Sequence, residues 1–251
     1  MPATPAWPPS SLPRLYVEQR LTEGAELVLE GPPANYLANV LRLAAGAQVK
    51  LFDDRTGEWL AELSETRRKR VTLALLSHLR DREPVPDLWL LFAPIKRGRI
   101  DWLVEKATEL GVARLIPVLT RRTIVDRLNL DRLRAHSIEA AEQCERTALP
   151  ELAEPEKLDR LLASWPSGRT LFFADEVGGT PLSAAAMPGP AAILIGPEGG
   201  FTDEERAAVS ACPQAVPVSL GPRILRADTA ALAAISLWMA AAGDWGRPVA
   251  R

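Results

Sequence analysis

Cysteine and histidine are nearly missing from these 251 residues, which hold two of each: Cys144, Cys212, His78 and His136. Two thiols so far apart build no disulfide framework, and neither thiol nor imidazole has metal-ligand spacing, so no metal site is expected. With both histidines far from every motif, no Ser-His-Asp arrangement is expected. Long apolar runs are missing too. The longest, Ala230 to Ala242, is broken by Ser236 and falls short of the roughly 20 residues that span a bilayer. It reads as a buried helix, and no membrane partner is expected. Unpaired thiols fit a reducing, cytoplasmic location. There is no surplus of positive charge either: the formal net charge is −2, so nucleic-acid binding would have to rest on local patches. Lysine is scarce, with five (50, 69, 96, 106 and 157) among 30 basic residues. The rest are arginine, whose planar fork matches phosphate oxygens, although genomic base bias yields the same composition.

The first thirteen residues carry five prolines, with no basic or apolar region of a secretory signal. Residues 1–12 read as a disordered lead-in. From there the chain divides. Residues 13–78 are strand-rich, with RLYVEQ, AELVLEG, AQVKLFDD, GEWLAELSE and RVTLALL bounded by Gly or Asp turns. One helix, PPANYLANVLRL, is opened by a proline pair, with Leu37, Val40 and Leu41 expected on one face. This predicts a small, barrel-like β module with Arg67, Arg68, Lys69 and Arg70 at a hairpin turn, which is either simply solvated or in contact with RNA. HLRDREPVPD reads as a linker, assigned to residues 79–87.

Residues 88–251 change style. The apolar strand LWLLFAPI leads to a helix with Ile100, Leu103, Val104, Ala107 and Leu110 on one face, stopped by Gly111, and then to the strand VARLIPVL. That order makes a βαβ unit and a parallel sheet. Helices are expected around Asp131–Thr147 and Pro155–Ala163, then strands RTLFFAD and AAILIG, helix DEERAAVSA, strand AVPVSL and a final helix from Ala227 to Ala242. The fold class is therefore α/β.

Ligands of such sheets sit at the carboxyl ends of the strands. Three ends here are unusual: FFADEVGG, ILIGPEGG and VSLGPRILRADTA. Two have a glycine immediately after the strand, which lets backbone groups approach a flat ligand such as adenine. The bland alternative is a tight connection with Thr202 as N-cap and Asp203, Glu204 and Glu205 favourable to the helix dipole. Neither G-x-G-x-x-G nor a G-x-x-x-x-G-K-[ST] loop occurs, so a phosphate-cradling role is disfavoured.

IGPEGGFTDEE followed about twenty residues later by SLGPRILRADTA, and preceded by EKATELGVARLIPV and EAAEQCERTALPEL, closely resembles the RsmE family of 16S ribosomal RNA uridine-N3 methyltransferases. The resemblance runs from Leu12 over nearly the whole chain, since RLYV, NVLRL and LFDDRTGEWLAEL are similar to that family's N-terminal PUA-like RNA-binding module. It implies a SPOUT-type knotted parallel-sheet methyltransferase domain beside a small PUA-like β-barrel. A C-terminal trefoil knot would hold S-adenosylmethionine, in a homodimer acting on 16S rRNA of the small ribosomal subunit. Two other readings stay open: a non-catalytic RNA-binding assembly factor, and a ribose 2′-O-methyltransferase on the same fold.

Carried onto this sequence, the resemblance places the cofactor among Ala174 and Glu176, then Ile195, Gly196, Pro197, Glu198, Gly199 and Gly200, then Ser219, Leu220, Gly221, Ile224 and Leu225. Arg226, with Arg146 second, would favour the acceptor's anion, and Asp228 would supply a carboxylate near it. Salt bridges are the alternatives for the two arginines: to Asp228 for Arg226, and to Glu142 or another acid for Arg146. Arg14, Arg42, Lys96 and Arg97 would contact the RNA backbone. Two positions depart from the family pattern: Asp228 stands where Glu is common, and Tyr36 stands where His is frequent before the VLR segment, leaving base stacking but no proton transfer there.

Overall fold

The structure, a computed structural model, describes residues 12–246 apart from 68, 97, 126 and 176. All of the expected lead-in except Leu12 lies outside the described residues. The chain forms two compact units: Met1–Pro84 together with Ala141–Ala148, and Val85–Ala140 together with Leu149–Arg251.

In the first unit the elements are β1 (Arg14–Tyr16), β2 (Glu26–Glu30), α1 (Gly31–Asn35), β3 (Gln48–Phe52), β4 (Glu58–Arg67) and β5 (Arg70–Arg80). They make a sheet ordered β1-β3-β4-β5-β2, with β1 parallel to β3 and the other pairs antiparallel. Alternate residues fill its core, among them Val49, Leu51, Ala61, Leu63, Val71 and Leu73. Register shifts such as the one between Leu63 and Glu65 interrupt the β4–β5 ladder, and bulges of this kind increase twist and let a sheet curl around one core. β5 extends to Arg80, into the stretch that reads as a linker in the sequence.

The expected helical face fails at Val40. After α1 the chain widens into a π turn over Tyr36–Val40, with the Leu41 amide bonding to Tyr36 O at 2.9 Å. A wider turn advances each residue by a smaller angle, so the i, i+3, i+4 spacing no longer lines up. Leu37 stays buried while Val40 is 61% exposed.

Residues 141–148 belong to this unit through a charged cluster. The Glu58 carboxylate is buried and receives Arg14 and Arg80, the latter at 3.0 Å. Arg14 in turn bonds the carbonyls of Ala141 and Arg146, and Arg80 bonds that of Glu145. Glu83 accepts from the Thr147 amide at 2.8 Å. Arg14 was expected to contact RNA, but it is 8% exposed and lies over the Phe52 ring. A guanidinium so engaged is not available to a phosphate. The same carbonyl bonds explain why the helix expected to reach Thr147 stops at Gln143, with Glu145 at a φ of 62°.

The second unit contains β6 (Leu88–Phe92), α2 (Arg99–Glu109), β7 (Arg114–Leu119), α3 (Leu130–Gln143), β8 (Glu151–Leu152), β9 (Glu156–Lys157) and α4 (Leu158–Ala163). It continues with β10 (Thr170–Ala174), β11 (Thr180–Pro181), α5 (Leu182–Ala185), β12 (Ala191–Ile195), α6 (Asp203–Ser210), β13 (Ala215–Ser219) and α7 (Ala227–Ala241). α3 begins here, and its last residues, from Ala141, group with the first unit. α4 starts later than expected because Glu156 and Lys157 pair with β7 as a short strand. The sheet is parallel and ordered β11-β13-β10-β12-β6-β7-β8. All five residues of β12 are buried, as a strand covered on both faces requires. One face is filled by residues of α2, α5 and α7, including Leu103, Ile235 and Trp238. The other is filled from α4 and α6, including Leu161 and Val209. No described helix is long and apolar enough to cross a membrane.

The Glu58 cluster generates a prediction. Burial works to raise the Glu58 carboxyl, but hydrogen bonds and charge from Arg80 and Arg14 outweigh it and hold the group below its ordinary value of 4.5. A depressed carboxylate stabilises above its unfolded pKa, and that stability is lost as pH falls through the folded one. Glu58→Ala, which leaves Arg14 buried without its partner, is expected to cost about 3 kcal/mol at pH 7. The gap from the native protein should narrow below pH about 4.5, as measured by urea midpoints. A gap that is the same at both pH values would contradict this assignment.

Candidate active site

β10 is flanked by β12 and β13, and all three run parallel, with Ala174 level with Val218 and Phe173 level with Leu194. Their carboxyl ends therefore share one edge, and the loops leaving them surround a cavity of about 750 Å³. That volume lies within the usual range for small-molecule sites. Of the residues assigned to a cofactor in the sequence, Ala174, Ile195, Gly196, Pro197, Glu198, Gly200, Ser219, Leu220, Gly221, Ile224 and Leu225 line it. Gly199 does not, and Glu176 lies outside the described residues.

Each glycine is needed for a different reason. A Cβ at Gly196 would lie 2.9 Å from the Phe201 ring, so the constraint there is packing against that ring. Gly200 and Gly221 have φ of +68° and +111°, which residues other than glycine rarely adopt. A Cβ at Gly199 would meet nothing closer than 3.5 Å, an ordinary contact with Arg122. The loop then enters α6 through the N-cap expected at Thr202, which the structure completes as a capping box: the Thr202 side chain accepts from the Glu205 amide while Glu205 accepts from that of Thr202.

Charge is arranged in layers around the cavity. Asp175 lines it and pairs with Arg206 of α6 at 3.3 Å. Arg99 lies 3.6 Å from Glu198 and 3.9 Å from Asp228. Asp228 therefore pairs with Arg99, where the sequence had offered Arg226. Arg226 is the N-cap of α7, lines the cavity, and forms no ion pair with any described residue. Lys96 and Arg223 join it on the lining and are exposed. Ile224, 88% exposed, marks an open rim.

Arg146 is not among the residues lining this cavity; it belongs to the first unit, where it is 5% exposed and burial lowers its pKa against the opposing charge of Glu83. Arg42 is exposed in the first unit with a φ of 54°. Arg97 lies outside the described residues. Sequence reasoning passed over Arg99, Phe201 and Arg206. Phe201 could have been suspected from its place between the glycine pair and the N-cap, whereas Arg99 and Arg206 find their partners only through sheet order.

Two family models match the chain: an RNA methyltransferase domain over residues 81–239 and an RNA methyltransferase PUA domain over residues 29–76. Ribosomal RNA small subunit methyltransferase E of Rickettsia conorii is 30% identical over 229 residues, covering 89% of this chain and 93% of its own. A crystal structure of the Neisseria gonorrhoeae protein of that name, bound to S-adenosyl methionine, is 29% identical with a TM-score of 0.86, over 93% of this chain and 99% of its own. A Legionella pneumophila methyltransferase structure with bound SAM is 32% identical with a TM-score of 0.83, over the same shares of 93% and 99%. A parallel sheet that gathers its glycine loops at one edge, and sequence likeness along almost the full length, lead to one conclusion: the chain belongs to the RsmE family of ribosomal RNA small subunit methyltransferases, with an RNA methyltransferase domain and a PUA domain.

Proposed function

We propose that this protein uses S-adenosylmethionine to methylate N3 of one uridine in 16S ribosomal RNA of the small ribosomal subunit, as a cytoplasmic homodimer. One observation carries the reading: three parallel strand ends, with glycines at 196 and 221 in the loops that leave two of them, surround one cavity whose rim carries Arg226, which forms no ion pair with any described residue. Support comes also from the solved relatives that hold S-adenosyl methionine. The knotted threading of the C-terminal part, and a division into an RNA-binding module (13–78), a linker (79–87) and a catalytic domain (88–251), belong to the same proposal. Val177 and Ile224, 77% and 88% exposed beside the cavity, favour a second chain that covers the rim.

The residues present fit the cofactor. Ile195, Leu220 and Leu225 offer apolar walls to a flat base, and Gly221 leaves the backbone open there, with nothing within 4 Å of its Cβ position. Glu198 and Asp175 offer acceptors on the same lining. When bound, S-adenosylmethionine supplies an electrophilic methyl carbon on a sulfonium centre. The protein then has to align donor and acceptor and to favour the acceptor's anion.

Uridine N3 must lose a proton before it can accept a methyl group, and no histidine lines the cavity to take it. Asp228 lies 3.9 Å from the Arg99 guanidinium, so its carboxylate faces a cation of the protein itself. The Arg226 cation, at the amino end of the fifteen-residue α7, favours negative charge on the uridine and so lowers its pKa. The proton leaves to water at the open rim. Lys96 and Arg223 neutralise phosphates, which positions RNA without reading it. Arg146 plays no part in this scheme.

Two outcomes follow. Calorimetry should show S-adenosylmethionine binding in the native protein, at least tenfold weaker binding in Gly221→Val, and affinity within about twofold of native in Gly199→Ala. Undiminished affinity in Gly221→Val would rule out the loop assignment, and no heat from the native protein would favour the non-catalytic reading. The single-turnover rate should climb about tenfold per pH unit from near 6.5 and level off where the bound uridine is ionised, with the Arg226→Ala plateau displaced to higher pH. A flat native profile, with chemistry limiting, would mean that another group removes the proton.

A further inference from the structure

Among residues 196–201, Gly199 alone does not line the cavity. Its carbonyl instead accepts from Arg122 Nη1 at 2.6 Å, and the same nitrogen lies 3.4 Å from Phe201 O. The arginine stem runs along the outer side of the glycine, with Cδ and Cβ 3.5 and 3.7 Å from where a Gly199 Cβ would stand. Arg122 belongs to a closed turn after β7, in which the Thr120 amide bonds Thr123 Oγ1 at 2.9 Å and the Thr123 amide bonds Thr120 O at 3.1 Å. A second tie comes from the same turn: the Arg121 amide donates to Glu205 Oε1 at 2.7 Å, while the other oxygen of Glu205 caps Thr202 at 2.9 Å.

In the sheet β7 is separated from β12 by β6, so this turn reaches past a neighbouring strand end to grip the loop from outside. The loop's own bracing is slight: Gly200 N–H bonds Pro197 O at 2.8 Å, and Gly196 rests on the Phe201 ring. We infer that Arg122 is a positioning residue for the cavity, fixing the outer side of the 196–201 loop so that Gly196, Pro197 and Glu198 present a preformed wall to the methyl donor. This rests on the proposed cofactor. A charged donor that bridges two carbonyls stiffens them more than a neutral one, and a preformed wall spares the ordering cost of binding.

The test joins two readouts. In the ligand-free protein, Arg122→Ala should speed hydrogen exchange at the Gly200 amide about tenfold, and Arg122→Lys, which keeps one charged donor, should restore much of the protection. With S-adenosylmethionine, Arg122→Ala should raise Kd about tenfold by calorimetry and raise KM for the donor more than it lowers kcat, at an unchanged melting midpoint. Unchanged exchange at Gly200 would overturn the inference whether or not the native protein takes the donor. So would unchanged affinity in Arg122→Ala when the native protein binds, or a lowered midpoint in both variants with no rescue by lysine. Failure of the native protein to bind, with Gly200 exchange altered as expected, would count against the cofactor reading alone and leave the hold on the loop standing.

Discussion

Because β12, β10 and β13 are parallel neighbours, the chain must leave all three at the same edge of the sheet. β12 and β13 are consecutive in sequence, joined through α6, yet β10 lies between them. The connection therefore has to cross β10 and return to the opposite edge of the sheet, so that β13 runs back up and ends beside β10 and β12. The rest of the site follows from that order. Loops beginning at residues 175, 196 and 220, far apart along the chain, become the walls of one cavity, and the amino end of α7 is brought up against it.

Crowding three exits together leaves little room for side chains, and the glycines show how that room is found. Gly196 yields space to Phe201, while Gly200 and Gly221 supply backbone angles that other residues resist. The same crowding draws charge inward. Arg206 from α6 holds Asp175, and Arg99 from α2 holds Glu198 and Asp228. Arg226, with no such acid beside it among the described residues, keeps its charge available at the rim, which in the proposed chemistry is where the uridine anion forms.

Much of this order was legible in the sequence because it depends on local signals. The buried run AAILI, the alternating strands of the first unit and the N-cap at Thr202 each carry a pattern that burial or capping dictates. What stayed hidden depends on partners distant in sequence. The end of α3 at Gln143 follows from Arg14 and Arg80, which take the carbonyls of residues 141, 145 and 146. No composition rule brings Arg14 to that segment, so a buried arginine looked like a surface one. The π turn at Tyr36–Val40 is a different kind of miss: the face expected from Leu37, Val40 and Leu41 assumes α-helical spacing, and the chain is already in the wider turn from Tyr36. Arg99 as the partner of Asp228 could not be read either, since the pair joins α2 to α7, far apart in the chain.

Mass spectrometry of small-subunit RNA lacking the modification, incubated with this protein and S-adenosylmethionine, tests the central claim most directly. The account predicts one added methyl group, on the base at N3 of a single uridine. A methyl group on a ribose, or none at all with the donor shown to be bound, would contradict it.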